Sequence, residues 1–381
     1  MNRSDIHSGR DLLKDDIRRV VIKLGSRVLV SENGEPDRAR IQSLIGEVAA
    51  LYHEGKEVIL VSSGAIATGV QALGWSVRPT NLQDLQMSAS VGQTVLMQIY
   101  SSLFGDYGIQ VGQVLLTHDD LKQRERHLNA RNTMLSMLRN RVIPVVNEND
   151  VVSVDEIRFG DNDLLASLVA TLTGSELLIL LTTSNGFFRT ERGVMKERIP
   201  VLSSITGEVI SMAQGKGSTW SSGGMASKLK SAEHAVRSGI PVVIANGQEN
   251  GVLARILAKE DVGTLILPDQ RGEPMTARKK WIAFFHRPVG ALVVDKGACK
   301  AIVDGGNSLL PVGVQQCRGR FGVGALLNIE YPEGVVIARG ITSYSKEELE
   351  EVMGLRSPDI RDRLGERYHE EVIHRDNMVI L

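Results

Sequence analysis

Two lysines in this chain stand where a phosphate could be gripped. Lys23 closes the apolar run Val20 to Leu24, within the stretch Lys23-Leu24-Gly25-Ser26. A compact ammonium with three donors suits a phosphoryl oxygen better than a packing position. The plainer alternative is an exposed lysine at a strand end. Lys228 closes Gly-Lys-Gly-Ser-Thr-Trp-Ser-Ser-Gly-Gly-Met-Ala-Ser-Lys, a Gly- and Ser-rich loop from Gly215 that runs into a helix start. Amides at a helix N-terminus favour phosphate and Lys228 adds charge, whereas a merely mobile loop is the alternative. The GxxxxGK(S/T) spacing of a P-loop is absent, and no GxGxxG follows a strand.

Acidic and amide groups cluster at two further places. Asp161-Asn162-Asp163 precedes a helical run and offers two carboxylates and an amide, although Asp and Asn are favoured there as N-caps whatever the function. Asn147-Glu148-Asn149-Asp150 ends a strand that should be buried. A carboxylate in that setting calls for a positive partner, and the α-ammonium of a bound amino acid would serve.

The elements that must position these groups alternate along the chain. Val20 to Leu24 reads as a buried strand. Ile41, Leu44, Ile45, Val48, Leu51 and Tyr52 then repeat at helical spacing up to Gly55, a C′ glycine. Strands are expected at 58–62, 110–116, 142–146, 177–181, 241–245 and 264–267, with helices around 85–104, around 126–139, from 164 and over 225–238. Such alternation means parallel strands covered by helices. In an open parallel sheet, ligands bind beyond the carboxyl ends of the strands. Lys23-Leu24-Gly25-Ser26, Ser62-Ser63-Gly64-Ala65, Asn147 to Asp150 and Thr182-Thr183-Ser184-Asn185-Gly186 all fall at such ends. The recurrence on one edge is the signal.

After Asp269 the texture changes. A linker-like Asp-Gln-Arg-Gly-Glu-Pro leads into short β-rich runs at 291–294, 325–329 and 335–338, separated by Gly, Pro and Asn. The expected division is an α/β domain over 1–269, a small β-rich module over 276–353 and a C-terminal tail over 354–381.

Composition excludes several classes. The 381 residues are 42% hydrophobic and 23% charged, ordinary for a folded globular chain. With 44 Lys and Arg against 45 Asp and Glu, no global field draws the chain to nucleic acid or an anionic membrane. Cys299 and Cys317 lack zinc or CxxC spacing and read as reduced packing residues. Residues 1–16 carry charges and no signal-like apolar run, so the cytoplasm is the expected location.

Taken together, Val21-Ile22-Lys23-Leu24-Gly25-Ser26, Val61-Ser62-Ser63-Gly64-Ala65-Ile66, Asn147-Glu148-Asn149-Asp150, Gly160-Asp161-Asn162-Asp163 and Gly223-Gly224-Met225 with Lys228 resemble the glutamate 5-kinases of the amino-acid kinase superfamily. Ser308 to Gly313 is similar to the PUA domain appended to many members, and Glu371 to Asp376 to the family ending. The resemblance implies a three-layer α/β/α sandwich with a mainly parallel sheet, plus a small C-terminal β-rich PUA-like domain. It implies ATP and Mg²⁺, the metal bridging phosphates rather than held by protein ligands. Lys23 and Lys228 would flank the migrating phosphoryl, with Asp163 holding both ammonium groups. Ser63, Asp150 and Asn162 would bind L-glutamate. Thr182, Thr183 and the run Ser222, Gly223, Gly224, Met225, Ala226, Ser227 and Lys228 would face ATP, with Lys23. It further implies a homo-oligomer, proline as feedback inhibitor and contact with the next pathway enzyme.

The chain departs from the family in carrying Thr182-Thr183 where Thr-Asp is usual, Gly186-Phe187-Phe188 for Gly-Leu-Tyr, and Ser221-Ser222 for Gly-Thr. A carboxylate is therefore missing on the nucleotide side. Two other readings stand beside the kinase. One is a catalytically weakened regulatory homologue that binds glutamate or proline. The other is an RNA-binding protein using the PUA-like module, but 276–353 holds ten Lys and Arg against eight Asp and Glu, a net of +2 and a poor electrostatic footprint. Related kinases acting on acetylglutamate, aspartate or UMP share the scaffold without the PUA-like extension.

Overall fold

A computed structural model describes residues 9–31, 35–152, 162–191, 194–213, 224–268, 279, 282–283, 288–355, 360 and 369–381. The chain divides into two compact units, Met1–Pro274 and Met275–Leu381.

In the first unit, β1 (Arg19–Leu24) is followed by the short α1 (Ser26–Leu29), α2 (Arg38–His53) and β2 (Glu57–Val61). Helix α3 (Ala65–Ala72) and the long α4 (Leu82–Gly105) lead to β3 (Gln110–Leu116). Next come α5 (His118–Lys122), α6 (Arg124–Arg139), β4 (Val142–Glu148), α7 (Asn162–Thr173) and β5 (Leu177–Thr182). The rest is β6 (Phe187–Glu191), β7 (Val194–Ile199), β8 (Val201–Leu202), α8 (Gly207–Met212), α9 (Met225–Arg237), β9 (Val242–Asn246), α10 (Val252–Leu257) and β10 (Thr264–Ile266). Among the described residues eight strands form one sheet, in the order β3-β4-β2-β1-β5-β9-β10-β8. All neighbours run parallel except β9 and β10.

Local chemistry explains the elements. Asp37 caps α2 by accepting from the Arg40 N–H. The other end closes in a Schellman motif: Lys56 N–H donates to Leu51 O and Gly55 N–H to Tyr52 O, with Gly55 at φ 91°. The central strands are apolar on both faces, as a parallel sheet covered twice requires. Alternation then sorts their residues. Val20, Ile22 and Leu24 join Leu60, Val145, Ile179 and the buried faces of α2 and α4 in one core. Lys23, one step out of phase, belongs to the opposite face, where α7 and α9 pack. The result is an α/β/α sandwich.

Two differences from the sequence expectation bear on the site. Helix α3 was not foreseen: it is eight residues long and holds Gly69, which weakens a helix on its own. The reason for the glycine is a backbone-to-backbone crossing. A Cβ on Gly69 would sit 1.7 Å from the Ser88 carbonyl oxygen, and one on Gly92 1.8 Å from that of Ala65. The antiparallel pair β6–β7 was also not foreseen.

The second unit is built on a sheet of β11 (Gly290–Val294), β12 (Val314–Gly319), β13 (Leu326–Glu330), β14 (Val336–Ile341) and β15 (Met378–Ile380), in the order β12-β11-β13-β14-β15. Helices α11 (Lys296–Val303) and α12 (Lys346–Val352) complete it. Leu292, Val294, Ile302, Leu327, Ile329 and Ile373 are in its own core. Strand β15 comes from the stretch set apart above as a tail and pairs with β14.

Candidate active site

The order in which strands are added to the sheet reverses at β1. Its next strand in sequence, β2, lies on one side, and β5, which leads on to β9, lies on the other. Such a switch point opens a crevice at the strand carboxyl ends, and β1 and β5 end there in Lys23-Leu24 and Leu181-Thr182. Gly25 lets the two ends stay close. Its N–H donates to Leu181 O at 3.1 Å, and a Cβ there would stand 2.9 Å from that oxygen.

The centre of the crevice is a carboxylate shared by two lysines. Lys23 Nζ lies 2.7 Å from Asp163 Oδ1, and Lys228 Nζ donates to Asp163 Oδ2 at 2.7 Å. Lys23 projects from the end of β1, Asp163 from the first turn of α7, and Lys228 from the first turn of α9. Asp163 is 3% exposed. Burial pushes its carboxyl upward, but the Lys23 and Lys228 ammonium groups outweigh that and hold it down at about 2. The triad carries a net positive charge at neutral pH, facing a helix start. Gly224, the N-cap of α9, offers no side-chain acceptor to the first-turn amides of Met225, Ala226 and Ser227. Paired cations beside such amides are chemically suited to a polyphosphate.

A second cluster lies beside the first. Asn162 Nδ2 donates to Ser62 O at 2.7 Å, to Ser63 Oγ at 3.0 Å and to Asn147 Oδ1 at 2.9 Å. Asn147 Nδ2 donates to Gln93 Oε1 at 2.8 Å, and the Glu148 N–H donates to Asn147 Oδ1 at 2.9 Å. Tyr100 OH lies 2.8 Å from Ser62 Oγ. Gly64, with φ 94°, turns the chain out of β2 into α3 and leaves Ser63 on the crevice side. Asp150 follows β4 and lines a cleft with Gln93, Glu148, Asn149, Gln113 and Thr94.

The expected residues therefore gather unevenly. Lys23, Asp163 and Lys228 are joined directly. Ser63 and Asn162 are joined to each other, and Asp150 shares a cleft with Gln93, which is linked to Asn162 through Asn147. Thr182 is half-buried, with its carbonyl accepting from Gly247 N–H at 2.7 Å, and Thr183 is exposed beyond it. Gly224, Met225, Ala226 and Ser227 form the start of α9. Ser222 and Gly223 lie outside the described residues, as do Gly160 and Asp161. Gln93 and Tyr100 were missed. The signal was present: Ala89, Gln93, Leu96 and Tyr100 form one buried stripe of α4, and a glutamine inside it is out of place unless its amide has a partner. Among the described residues no group of three or more His, Cys, Asp or Glu could hold a metal ion.

Comparison with known proteins bears on what this crevice is. The model of the amino acid kinase family matches residues 18–246, a span that carries every site residue named above. The chain belongs to the amino acid kinase family. The second unit of this family member matches the PUA domain over residues 290–364. A glutamate 5-kinase from Citrifermentans bemidjiense is 45% identical over 376 residues, covering 98% of this chain and 100% of that one. The glutamate 5-kinase of Moorella thermoacetica is 42% identical, covering 96% of each chain. That of Burkholderia lata is 44% identical, covering 96% of this chain and 98% of its own. Similarity to these relatives thus runs through both units of the amino acid kinase described here.

Proposed function

We propose that this amino acid kinase is a glutamate 5-kinase, moving the γ-phosphoryl of ATP onto the γ-carboxylate of L-glutamate to give L-glutamyl 5-phosphate, the entry to proline biosynthesis. The observation that carries the reading is the buried carboxylate with a lysine on each oxygen. An acceptor carboxylate is already ionised at neutral pH, so the transfer needs no general base. What it needs is alignment of two anions and neutralisation of charge as it moves. Asp163 fixes two ammonium groups at one spacing, where both would attend the migrating phosphoryl. Lys23, at the end of β1, would attend the migrating phosphoryl, and Lys228, at the start of α9, the helix-bound phosphates as well.

Ser63, Asn162 and Asp150 would hold the amino acid, Asp150 by charge with the α-ammonium. Gly224 to Lys228, with Thr182 and Thr183, would hold the nucleotide, and Mg²⁺ would be carried mainly by the phosphates, supplying further charge neutralisation. The same reading places the protein in the cytoplasm as a homo-oligomer open to proline feedback and to contact with the next pathway enzyme. In keeping with a cytoplasmic place, no described helix is long and apolar enough to cross a membrane.

Hydroxylamine trapping tests the reading. The purified chain with ATP and Mg²⁺ should form hydroxamate from L-glutamate at a rate well above that with acetylglutamate or aspartate, and should not phosphorylate UMP. Hydroxamate at background with glutamate would overturn it.

A further inference from the structure

We propose that Gln93 and Tyr100, two turns apart on one face of α4, are positioning residues that hold together the hydrogen-bond network through which the Asn162 amide is offered to the amino-acid substrate. The inference rests on the reading that Asn162 binds that substrate.

Two backbone groups that cannot reverse their roles fix three side-chain amides. The Ser62 carbonyl can only accept, so the end of Asn162 that lies 2.7 Å from it is the nitrogen. At the other end of the chain of bonds, the Glu148 N–H can only donate, so the Asn147 atom 2.9 Å away is oxygen. Asn147 therefore turns its nitrogen to Gln93, and the Gln93 atom that receives it at 2.8 Å is Oε1. Asn147 Oδ1 is then free to take the Asn162 nitrogen as well. With Ser63 Oγ as third acceptor, the nitrogen end of Asn162 is saturated. Among the described residues the end left over is Oδ1, an acceptor, which suits an ammonium and not a carboxylate.

Gln93 supplies the acceptor that keeps this order fully bonded. Without an acceptor at its position, the buried Asn147 nitrogen is unmet. Turning Asn147 over loses the Glu148 bond and sets nitrogen against the Asn162 nitrogen. Gln93 itself is 8% exposed, and its Nε2 is buried with no hydrogen-bond partner among the described residues. An amide with one end unmet is a poor choice for packing alone, which points to the oxygen as the reason for the residue. Tyr100 supports the other wall. The Tyr100 hydroxyl lies 2.8 Å from Ser62 Oγ, a bond in which either oxygen can donate. Burial pushes the Tyr100 phenol up to about 12, so this proton is retained at working pH. Residues seven apart on a helix share a face, and α4 thereby presents both props to one site.

The test is steady-state kinetics of the full chain with separate KM values for glutamate and ATP, beside melting temperatures. Gln93→Met keeps the volume and removes the acceptor, and should raise the glutamate KM roughly tenfold while the ATP KM stays put. Gln93→Glu keeps an acceptor oxygen and should return the glutamate KM to within about threefold of wild type. Tyr100→Phe should raise it by about threefold, again without moving the ATP value. A wild-type glutamate KM in Gln93→Met would overturn the inference, as would equal rises in both KM values with a lowered melting temperature. If Gln93→Met does not fold, Tyr100→Phe decides alone: a glutamate-only rise supports the inference and a wild-type KM sinks it. A wild-type chain that makes no hydroxamate from glutamate removes the substrate reading itself, and the inference with it.

Discussion

Lys23 and Lys228 meet on opposite oxygens of a single buried carboxylate, each 2.7 Å away. They come from opposite parts of the sequence, one from the end of β1 and one from the first turn of α9. Their spacing is therefore set by Asp163 and by the packing of α7 on α9, not by any local motif.

Neutralising Asp163 should unbalance the arrangement, because a buried and a half-buried ammonium group would then face each other with no anion between them. Asp163→Asn is expected to cost about 3–5 kcal/mol of stability, read as a fall in the urea midpoint at unchanged m. A loss under about 1 kcal/mol would mean that the lysines relax into solvent and that the carboxylate does not organise them.

The same carboxyl sets an acid limit. Its folded value of about 2 lies below the ordinary 3.8, so the unfolded chain binds the extra proton between these values and stability rises with pH across them. The contribution, about 2 kcal/mol, is complete above about pH 4 and is lost as pH falls toward 2. Urea titrations from pH 5 down to pH 2 should show this slope in the wild type and a flatter one in Asp163→Asn. Parallel slopes in the two proteins would contradict it.

The crossing of α3 and α4 should tolerate no side chain. A Cβ on Gly92 would meet the Ala65 carbonyl oxygen at 1.8 Å and the Gly69 nitrogen at 2.5 Å, both backbone atoms that cannot swing aside. Gly92→Ala is expected to cost about 3 kcal/mol or more and to raise the glutamate KM, because Ser63 and Gly64 lie at the start of α3. Gly105→Ala, at the end of α4 with nothing within 4 Å of its Cβ, is the control and should change stability by less than about 1 kcal/mol. Similar melting temperatures for the two variants would refute the close crossing.

Periodicity made much of the sheet legible. The run Gln110 to Leu116 and the Gly55 stop of α2 follow from local rules, and so does the placing of polar residues at strand ends. Helix α3 was hidden because its stability comes from the backbone contact with α4, a tertiary relation that no window of Ala65 to Ala72 contains. The pair β6–β7 was hidden for a similar reason: a hairpin beside the main sheet has no crossover helix to announce it. Lys23 could be singled out as a cation at a strand end, but its partnership with Lys228 depends on which strand face it occupies and on which helices cover that face. Here the family resemblance supplied what spacing could not. Gln93 and Tyr100 escaped because both sit on an apolar stripe, where a polar residue reads as noise until its partners are seen.

The central claim is that two ammonium groups on one carboxylate stabilise the moving phosphoryl. Its most direct measurement is the hydroxamate-trapped turnover of Lys23→Ala and Lys228→Ala at saturating ATP and glutamate, each compared with wild type. Each variant should turn over roughly 10²–10³-fold more slowly, a loss of about 3–4 kcal/mol in the transition state. Turnover within a few-fold of wild type in either one would contradict the account.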